Sequence, residues 1–153
     1  MENDRRNLEA ALQNYQENLD ICRRLAQQDP ANADWQYDLA VAWNDIGRVE
    51  EARGNLGTAL QNYQDYLAIC RRLVQQTSAN AVWQHDLAIA LICVGDVYQQ
   101  MQASKALDHY QEAEIILRRL VELSPDNAGW QEDLATVTSR LDSLKASEQK
   151  QGE

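Results

Sequence analysis

The chain has 153 residues, a formal net charge of -10 and 44% hydrophobic residues, which suits one globular domain with a sizeable core. Because 24 acidic residues outnumber 14 basic ones, the surface repels phosphate, and neither nucleic acid nor an anionic membrane is an expected partner. Only two prolines and six glycines interrupt the chain, so the composition predicts helix nearly throughout.

The first predicted helix begins at Leu8 and stops near Gln28. Its apolar residues recur at steps of three and four, which places them on one helical stripe: Leu8, Ala11, Leu12, Tyr15, Leu19, Cys22 and Leu25. The pattern then breaks, because Pro30 cannot continue a helix and Asn32 can cap the next one. Equivalent breaks occur at residues 77–80 and 124–127.

The second predicted helix begins near Trp35 and ends near Gly54, a residue that favours a helix C-terminus. Its apolar stripe comprises Trp35, Leu39, Ala42, Trp43 and Ile46. Each predicted helix has about 20 residues, which corresponds to a length of about 30 Å.

This two-helix pattern occurs three times. The segment that starts at Ala11 returns at Ala59, a shift of 48 residues (59 minus 11), and again at Ala106 after a further 47 (106 minus 59). The repetition predicts an all-α fold of six helices, in which short connections make neighbouring helices antiparallel. We expect a single domain, 1–153, with units at about residues 8–54, 56–102 and 104–148.

Residues 39–69 carry the pattern of a known repeat. A large, an aliphatic and a small residue follow one another on the helix that contains Trp43, and a small and an aromatic residue follow on the next helix. These residues are Trp43, Ile46, Gly47, Ala59 and Tyr63. The next copy has Leu91, Val94, Gly95, Tyr98, Ala106, Tyr110 and Ala113. This pattern resembles the tetratricopeptide repeat, although Glu50 stands where that family has an aromatic residue.

The units are about 14 residues longer than the usual 34 of that family. They are similar to the long tetratricopeptide-like arrays of bacterial proteins that repeat a Trp-Gln-x-Asp-Leu segment. The resemblance implies a right-handed α-solenoid of antiparallel helix pairs, each with a first-type helix (the one that bears Trp-Gln-x-Asp-Leu) followed by a second-type helix. It implies little about function, because one fold hosts many functions.

The two ends of the array are expected to differ. The helix from Leu8 is of the second type and has no first-type partner before it, which suggests either a longer array or a docking partner there. The last helix keeps one apolar stripe, as terminal solenoid helices do. Polar residues replace apolar or small ones elsewhere on it: Thr138, Ser139, Asp142 and Lys145.

The cysteines and histidines are better explained by structure than by chemistry. Two cysteines share a repeat position with a leucine, which indicates an apolar core site: Cys22, Cys70 and Leu117. Cys93 is expected to be partly exposed, because its equivalents are Asp45 and Arg140. His85 and His109 occupy positions of varied chemistry, so we interpret both as surface residues.

No zinc-ligand pair and no glycine-rich phosphate loop occurs in the sequence, so we expect no metal, no cofactor, no catalytic residue and no enzymatic activity. The chain starts without an apolar leader, and three cysteines suit a reducing compartment, which favours the cytoplasm. We expect the repeated tryptophans to be core residues between adjacent hairpins: Trp35, Trp83 and Trp130. The Arg-Arg pairs are expected to contact acids, with a basic docking strip as the weaker alternative: 23–24, 71–72 and 118–119.

In the tetratricopeptide family the first-type helices line a concave groove, so the resemblance implies a partner-binding stripe on them. The positions of this stripe vary between copies, as a binding face or a solvated face does. The predicted binding residues are Tyr37, Val41, Asn44, Arg48, His85, Ile89, Ile92, Asp96 and Gln99. Glu51, Glu132, Thr136, Ser139 and Ser143 extend the same stripe.

The leading functional hypothesis is a non-catalytic scaffold that binds a peptide or helix of another protein in this groove. The first alternative is a structural array or homo-oligomer that assembles through the uncovered N-terminal helix. The second alternative is an enzyme or small-ligand sensor that uses Cys93.

Overall fold

A computed structural model describes residues 1–102 and 104–152. Six α-helices and no strands occur in these residues, which confirms the predicted all-α class. The helices are α1 (Glu2–Gln28), α2 (Ala33–Ala52), α3 (Leu56–Gln76), α4 (Ala81–Gln100), α5 (Ala106–Leu123) and α6 (Ala128–Gln151). None of these helices, within the described residues, is both long and apolar enough to cross a membrane.

The chain divides into two compact units, Met1–Ser78 and Ala79–Glu153. In the first unit, α2 packs against both α1 and α3. In the second unit, α5 packs against both α4 and α6, and α4 also contacts α6. Each unit therefore has one central helix with a partner on either side.

An asparagine cap begins each first-type helix. The side-chain oxygen accepts a hydrogen bond from the backbone N–H three residues later, which satisfies a donor that the helix leaves unpaired. The three bonds are Trp35 N to Asn32 Oδ1 (3.1 Å), Trp83 N to Asn80 Oδ1 (3.1 Å) and Trp130 N to Asn127 Oδ1 (3.0 Å). The predicted breaks between the helices are confirmed.

The other helix ends follow from local sequence, with one difference from the prediction. Helix α2 ends at Ala52, and Gly54 adopts φ +81°, a conformation that a residue without a β-carbon adopts without strain. Helix α1 begins at Glu2 instead of Leu8. Apolar periodicity could not locate this start, because the first turns are exposed and joined by ion pairs such as Arg6 to Glu2 at 3.2 Å.

The core of each helix pair lies on the predicted apolar stripes. Between α1 and α2 the buried residues are Leu19, Cys22, Ala42 and Ile46. The shared repeat position of Cys22, Cys70 and Leu117 is buried in all three copies, as predicted.

The expectation of core tryptophans is wrong, because Trp35, Trp83 and Trp130 are only half-buried. Each ring belongs to the first turn of its helix, where fewer neighbours can cover it.

A glycine beneath a tyrosine ring brings two helices close together in each unit. A β-carbon on Gly47 of α2 would lie 2.6 Å from Cε1 of Tyr63 on α3. A β-carbon on Gly95 of α4 would lie equally close, 2.6 Å, to Cε1 of Tyr110 on α5. Both rings are buried, so neither can swing aside. The close approach of these helices thus requires glycine.

We expect Gly95→Ala to destabilise the chain by about 1–3 kcal/mol, because its methyl group overpacks the Tyr110 ring. Gly57→Ala is the matched control, since this helical glycine has no atom within 4 Å of the added carbon. The control should be neutral or gain up to about 1 kcal/mol from helix propensity. Urea unfolding followed by circular dichroism measures both changes, and equal effects of the two substitutions would contradict the packing account.

Candidate functional site: the faces of α2 and α4

The predicted binding residues of the first unit lie along one stripe of α2, which we name the α2 face: Tyr37, Val41, Asn44 and Arg48. Val41 is 38% exposed, and Arg48 is also exposed. Tyr37 and Asn44 are half-buried. Within the described residues, the side-chain oxygen of Asn44 is buried without a hydrogen-bond partner. The α2 face therefore combines an exposed apolar side chain with polar and charged neighbours.

Glu51, which extends this stripe toward the end of α2, has a structural contact. The hydroxyl of Tyr63 donates a hydrogen bond of 2.7 Å to Glu51 Oε2. Because the same tyrosine ring lies on Gly47, one side chain contacts α2 at two points one helical turn apart. Glu51 is thus held within the hairpin of α2 and α3.

His85, at the start of the stripe on α4, is not the free surface residue that its variable repeat position suggested. It is half-buried, and its Nε2 lies 2.6 Å from Asp133 Oδ2 on α6. Its ring centroid is 6.3 Å from that of Trp130. His85 therefore joins the two first-type helices of the second unit, a role that only the three-dimensional neighbour reveals.

Ile89 and Ile92 follow on α4 and differ in exposure. Ile89 is half-buried, whereas Ile92 is only 8% exposed and has the burial of a core residue. Helix α4 is apolar on most sides, with eight buried residues, so periodicity could not separate a groove position from a core position. Of the two isoleucines, only Ile89 offers apolar surface.

Asp96 and Gln99 complete the stripe and surround a buried hydroxyl. The hydroxyl of Tyr110 lies 2.5 Å from Asp96 Oδ1 and 3.0 Å from Gln99 Oε1, and it donates to these oxygens. Arg140 Nε on α6 donates to the same Asp96 oxygen at 3.0 Å. Asp96 therefore connects all three helices of the second unit.

This cluster shifts the ionisation of its members. Burial, followed by the hydrogen bond to Asp96 and its negative charge, raises the pKa of Tyr110 above its ordinary value. The hydrogen bond to Asp96 raises the pKa of Arg140, so the guanidinium stays charged. On α2, burial raises the pKa of Asp45, and the charge of Arg48 opposes this.

The third-copy residues lie on α6 and are mostly exposed. Glu132, Ser139 and Ser143 are exposed, and Thr136 is half-buried. The Thr136 hydroxyl donates to the backbone oxygen of Glu132 at 3.0 Å. These short polar side chains provide hydrogen-bonding groups and no apolar anchor.

The arginine pairs include one contact with an acid and two contacts of other kinds. Arg118 Nε lies 3.5 Å from a carboxylate oxygen of Glu114. Arg23 instead stacks its guanidinium 5.1 Å above the Trp43 ring, a cation–π contact that repeat comparison does not indicate. Arg24 Nε donates to the backbone oxygen of Asp20 at 3.4 Å.

Cys93 and a cavity near the end of α4 are two further features of the second unit. Cys93 is half-buried. A cavity of about 550 Å³ lies beside the residues that follow α4, and amide and hydroxyl side chains such as Gln99, Gln102 and Ser147 line it. Across residues 1–102 and 104–152, no three His, Cys, Asp or Glu side chains converge to hold a metal ion.

Comparison with protein-family models finds no family that matches this chain, and comparison with curated proteins finds no significant relative.

We expect Tyr110→Phe to lower the free energy of unfolding by about 1–2 kcal/mol, because Asp96 and Gln99 lose a buried donor. Tyr15→Phe is the matched control, since Tyr15 has the same repeat position on α1 and is partly exposed. The control should change stability by less than about 0.5 kcal/mol. Chemical denaturation measures both, and a wild-type value for Tyr110→Phe would disprove a stabilising role of this hydroxyl.

The raised pKa of Tyr110 also predicts a loss of stability in alkali. The folded chain keeps the phenol proton where the unfolded chain releases it, so the contribution is fully present below about pH 10 and declines as the pH rises further. Unfolding free energies measured from about pH 9 to 11 should fall less steeply for Tyr110→Phe than for the wild type. Identical slopes would contradict the assignment.

Proposed function

We propose that the chain is a tetratricopeptide-like α-solenoid that acts as a non-catalytic scaffold and binds a peptide or helix of another protein on its first-type helices. The recurring interactions, such as the asparagine caps and the contact of Gly47 with Tyr63, serve to build the hairpins. Val41 and Ile89, at a position that differs between copies, take no part in these recurring interactions. A binding role for them is therefore compatible with the repeat.

The observation that carries this proposal is the exposure of Val41 on the α2 face. At 38% exposure, this apolar side chain lies between half-buried Tyr37 and Asn44, with the charged Arg48 one turn further. An amphipathic peptide with one or two apolar anchors fits such a surface, because its polar side can pair with the flanking groups. Val41 is the expected anchor point in the first unit.

In the second unit, Ile89 is the corresponding anchor. It occupies the repeat position of Val41 and keeps part of its surface accessible. Ile92, Asp96 and His85 contribute less to binding, since they are buried or held by neighbouring side chains. The proposed binding surface is consequently narrower than the stripe that the sequence suggests.

Self-association through α1 remains the alternative function. The observation that favours it is Tyr15, which is 36% exposed although its repeat equivalents are buried. A helix face whose apolar side chains are partly exposed can bind another copy.

The test is a selection of peptides from a displayed random library on the immobilised full-length chain. We expect a selected peptide to bind Val41→Asp at least about tenfold more weakly than the wild type, because the anchor contact is lost. Val82→Asp is the matched control, since Val82 is an exposed valine in the first turn of α4 and outside the stripe. Fluorescence anisotropy gives both affinities.

Amide chemical shifts measured with the same peptide should change along α2. Equal affinities of the wild type and Val41→Asp, with shift changes on other helices, would overturn the proposal. A selection that yields no saturable binder would also count against it.

A further inference from the structure

One tyrosine of the repeat is not covered as its equivalents are. Tyr63 and Tyr110 are 1% and 0% exposed, and each lies against the glycine of a first-type helix. Tyr15 occupies the same position on α1 and is 36% exposed. The face of α1 around Tyr15 therefore resembles the buried faces of α3 and α5 in sequence. Within the described residues, however, no helix buries Tyr15 as Tyr63 and Tyr110 are buried.

Beside Tyr15 there is a groove of about 320 Å³ between α1 and α2, which we name the α1–α2 groove. Its lining residues are Leu8, Ala11, Tyr15, Asp45, Arg48 and Val49. Four of them correspond, through a shift of 95 residues (106 minus 11), to residues on the paired helices α5 and α6: Ala106, Tyr110, Arg140 and Leu144.

In the second unit, the equivalent position holds a helix. Gly95 lies beneath Tyr110, and Asp96 contacts Tyr110 and Arg140. Gln99 of α4 lines a cavity together with Ala106 and Leu144. The helix that fills this position beside α5 and α6 is α4, a first-type helix with its glycine at the point of contact.

The hydroxyl of the covered tyrosine gives a second requirement. Tyr63 donates to Glu51, four residues after Gly47, and Tyr110 donates to Gln99, four residues after Gly95. A helix that covers Tyr15 in the same way therefore needs a carboxylate or amide oxygen four residues after its glycine. One turn of helix separates these two positions, so both face the same tyrosine.

The third requirement concerns charge. In charge, the α1–α2 groove differs from the equivalent position beside α5 and α6. Arg140 pairs with Asp96, the residue directly after the contact glycine. The groove has Asp45 at the position of Arg140, so a basic residue directly after the glycine would meet this carboxylate, although the positive charge of Arg48, which also lines the groove, reduces the gain. An acidic residue there would face a like charge.

We infer that the α1–α2 groove binds a helix of a partner protein that carries glycine, a basic residue directly after it, and Glu or Gln four residues after it. Helix α2 itself shows that one segment can combine all three: Gly47, Arg48 and Glu51.

A second copy of this chain is a poor occupant. Its contact glycines are already covered, Gly47 by Tyr63 and Gly95 by Tyr110. Helix α6 is the remaining first-type helix of the described residues, and its glycine position is Asp142, whose side chain would collide with a tyrosine ring. Four residues later α6 has Ala146, which provides no side-chain acceptor. These features disfavour a second copy as the occupant of the groove.

The probe is a fluorescent peptide with the sequence of residues 32–53, the α2 peptide, titrated into the full-length chain. We expect saturable binding. A peptide with Gly47→Val should bind at least about tenfold more weakly, because its side chain prevents close approach to Tyr15. A peptide with the sequence of residues 127–148, which has Asp142 and Ala146 at these positions, should bind as poorly.

Substitutions in the chain locate the binding. Tyr15→Ala should weaken binding of the α2 peptide at least about tenfold. Gln13→Ala should leave it unchanged, because this position is exposed in all three copies. Circular dichroism verifies that both variants are folded.

A charge reversal tests the third requirement. An α2 peptide with Arg48→Asp should bind the wild-type chain about two- to fivefold more weakly, as expected for a partly exposed ion pair. Asp45→Arg in the chain should restore the affinity for this peptide. Restoration is not expected if Asp45 only supports folding.

The inference is overturned if the α2 peptide does not bind, if Tyr15→Ala binds it with wild-type affinity, or if the peptide with Gly47→Val binds equally well. Light scattering that shows a dimer lost on Tyr15→Ala would overturn it in favour of a second copy. These results are independent of peptide binding at Val41, so either proposal can fail alone.

Discussion

The contact between a helical glycine and a buried tyrosine ring sets the separation of paired helices in both units. Gly47 with Tyr63, and Gly95 with Tyr110, leave no room for a β-carbon, so the two backbones approach more closely than larger side chains permit. Because protein interiors are close-packed, this separation decides which other side chains fill the space between the helices. The stripes of Leu, Ile and Val at neighbouring positions are buried as a consequence.

Different residues accept the hydrogen bond of the buried tyrosine hydroxyl in the two units. A buried hydroxyl needs a partner, since an unmade hydrogen bond in the interior is costly. Glu51 fulfils this need for Tyr63, whereas Tyr110 has both Asp96 and Gln99. The additional carboxylate in the second unit also accepts from Arg140, so the polar contact there reaches a third helix.

Local features were predictable from the sequence, and non-local ones were not. The cap at Asn32 and the stop at Gly54 involve residues only a few positions apart, so sequence reading located them. The burial of Ile92, the partial exposure of Trp83 and the partner of His85 depend on residues of other helices. Periodicity identifies which side of a helix is apolar, but it does not identify the neighbour or how completely that neighbour covers it.

Asp142 has a consequence for assembly in solution. If α6 matched the α1–α2 groove, it would join copies head to tail, and such a heterologous contact generates open filaments unless rotation closes a ring. Because Asp142 stands where the contact needs glycine, α6 of one chain is a poor occupant of the α1–α2 groove of another. Head-to-tail growth through α6 is therefore disfavoured, and the α1–α2 groove is expected to saturate at one partner helix per chain.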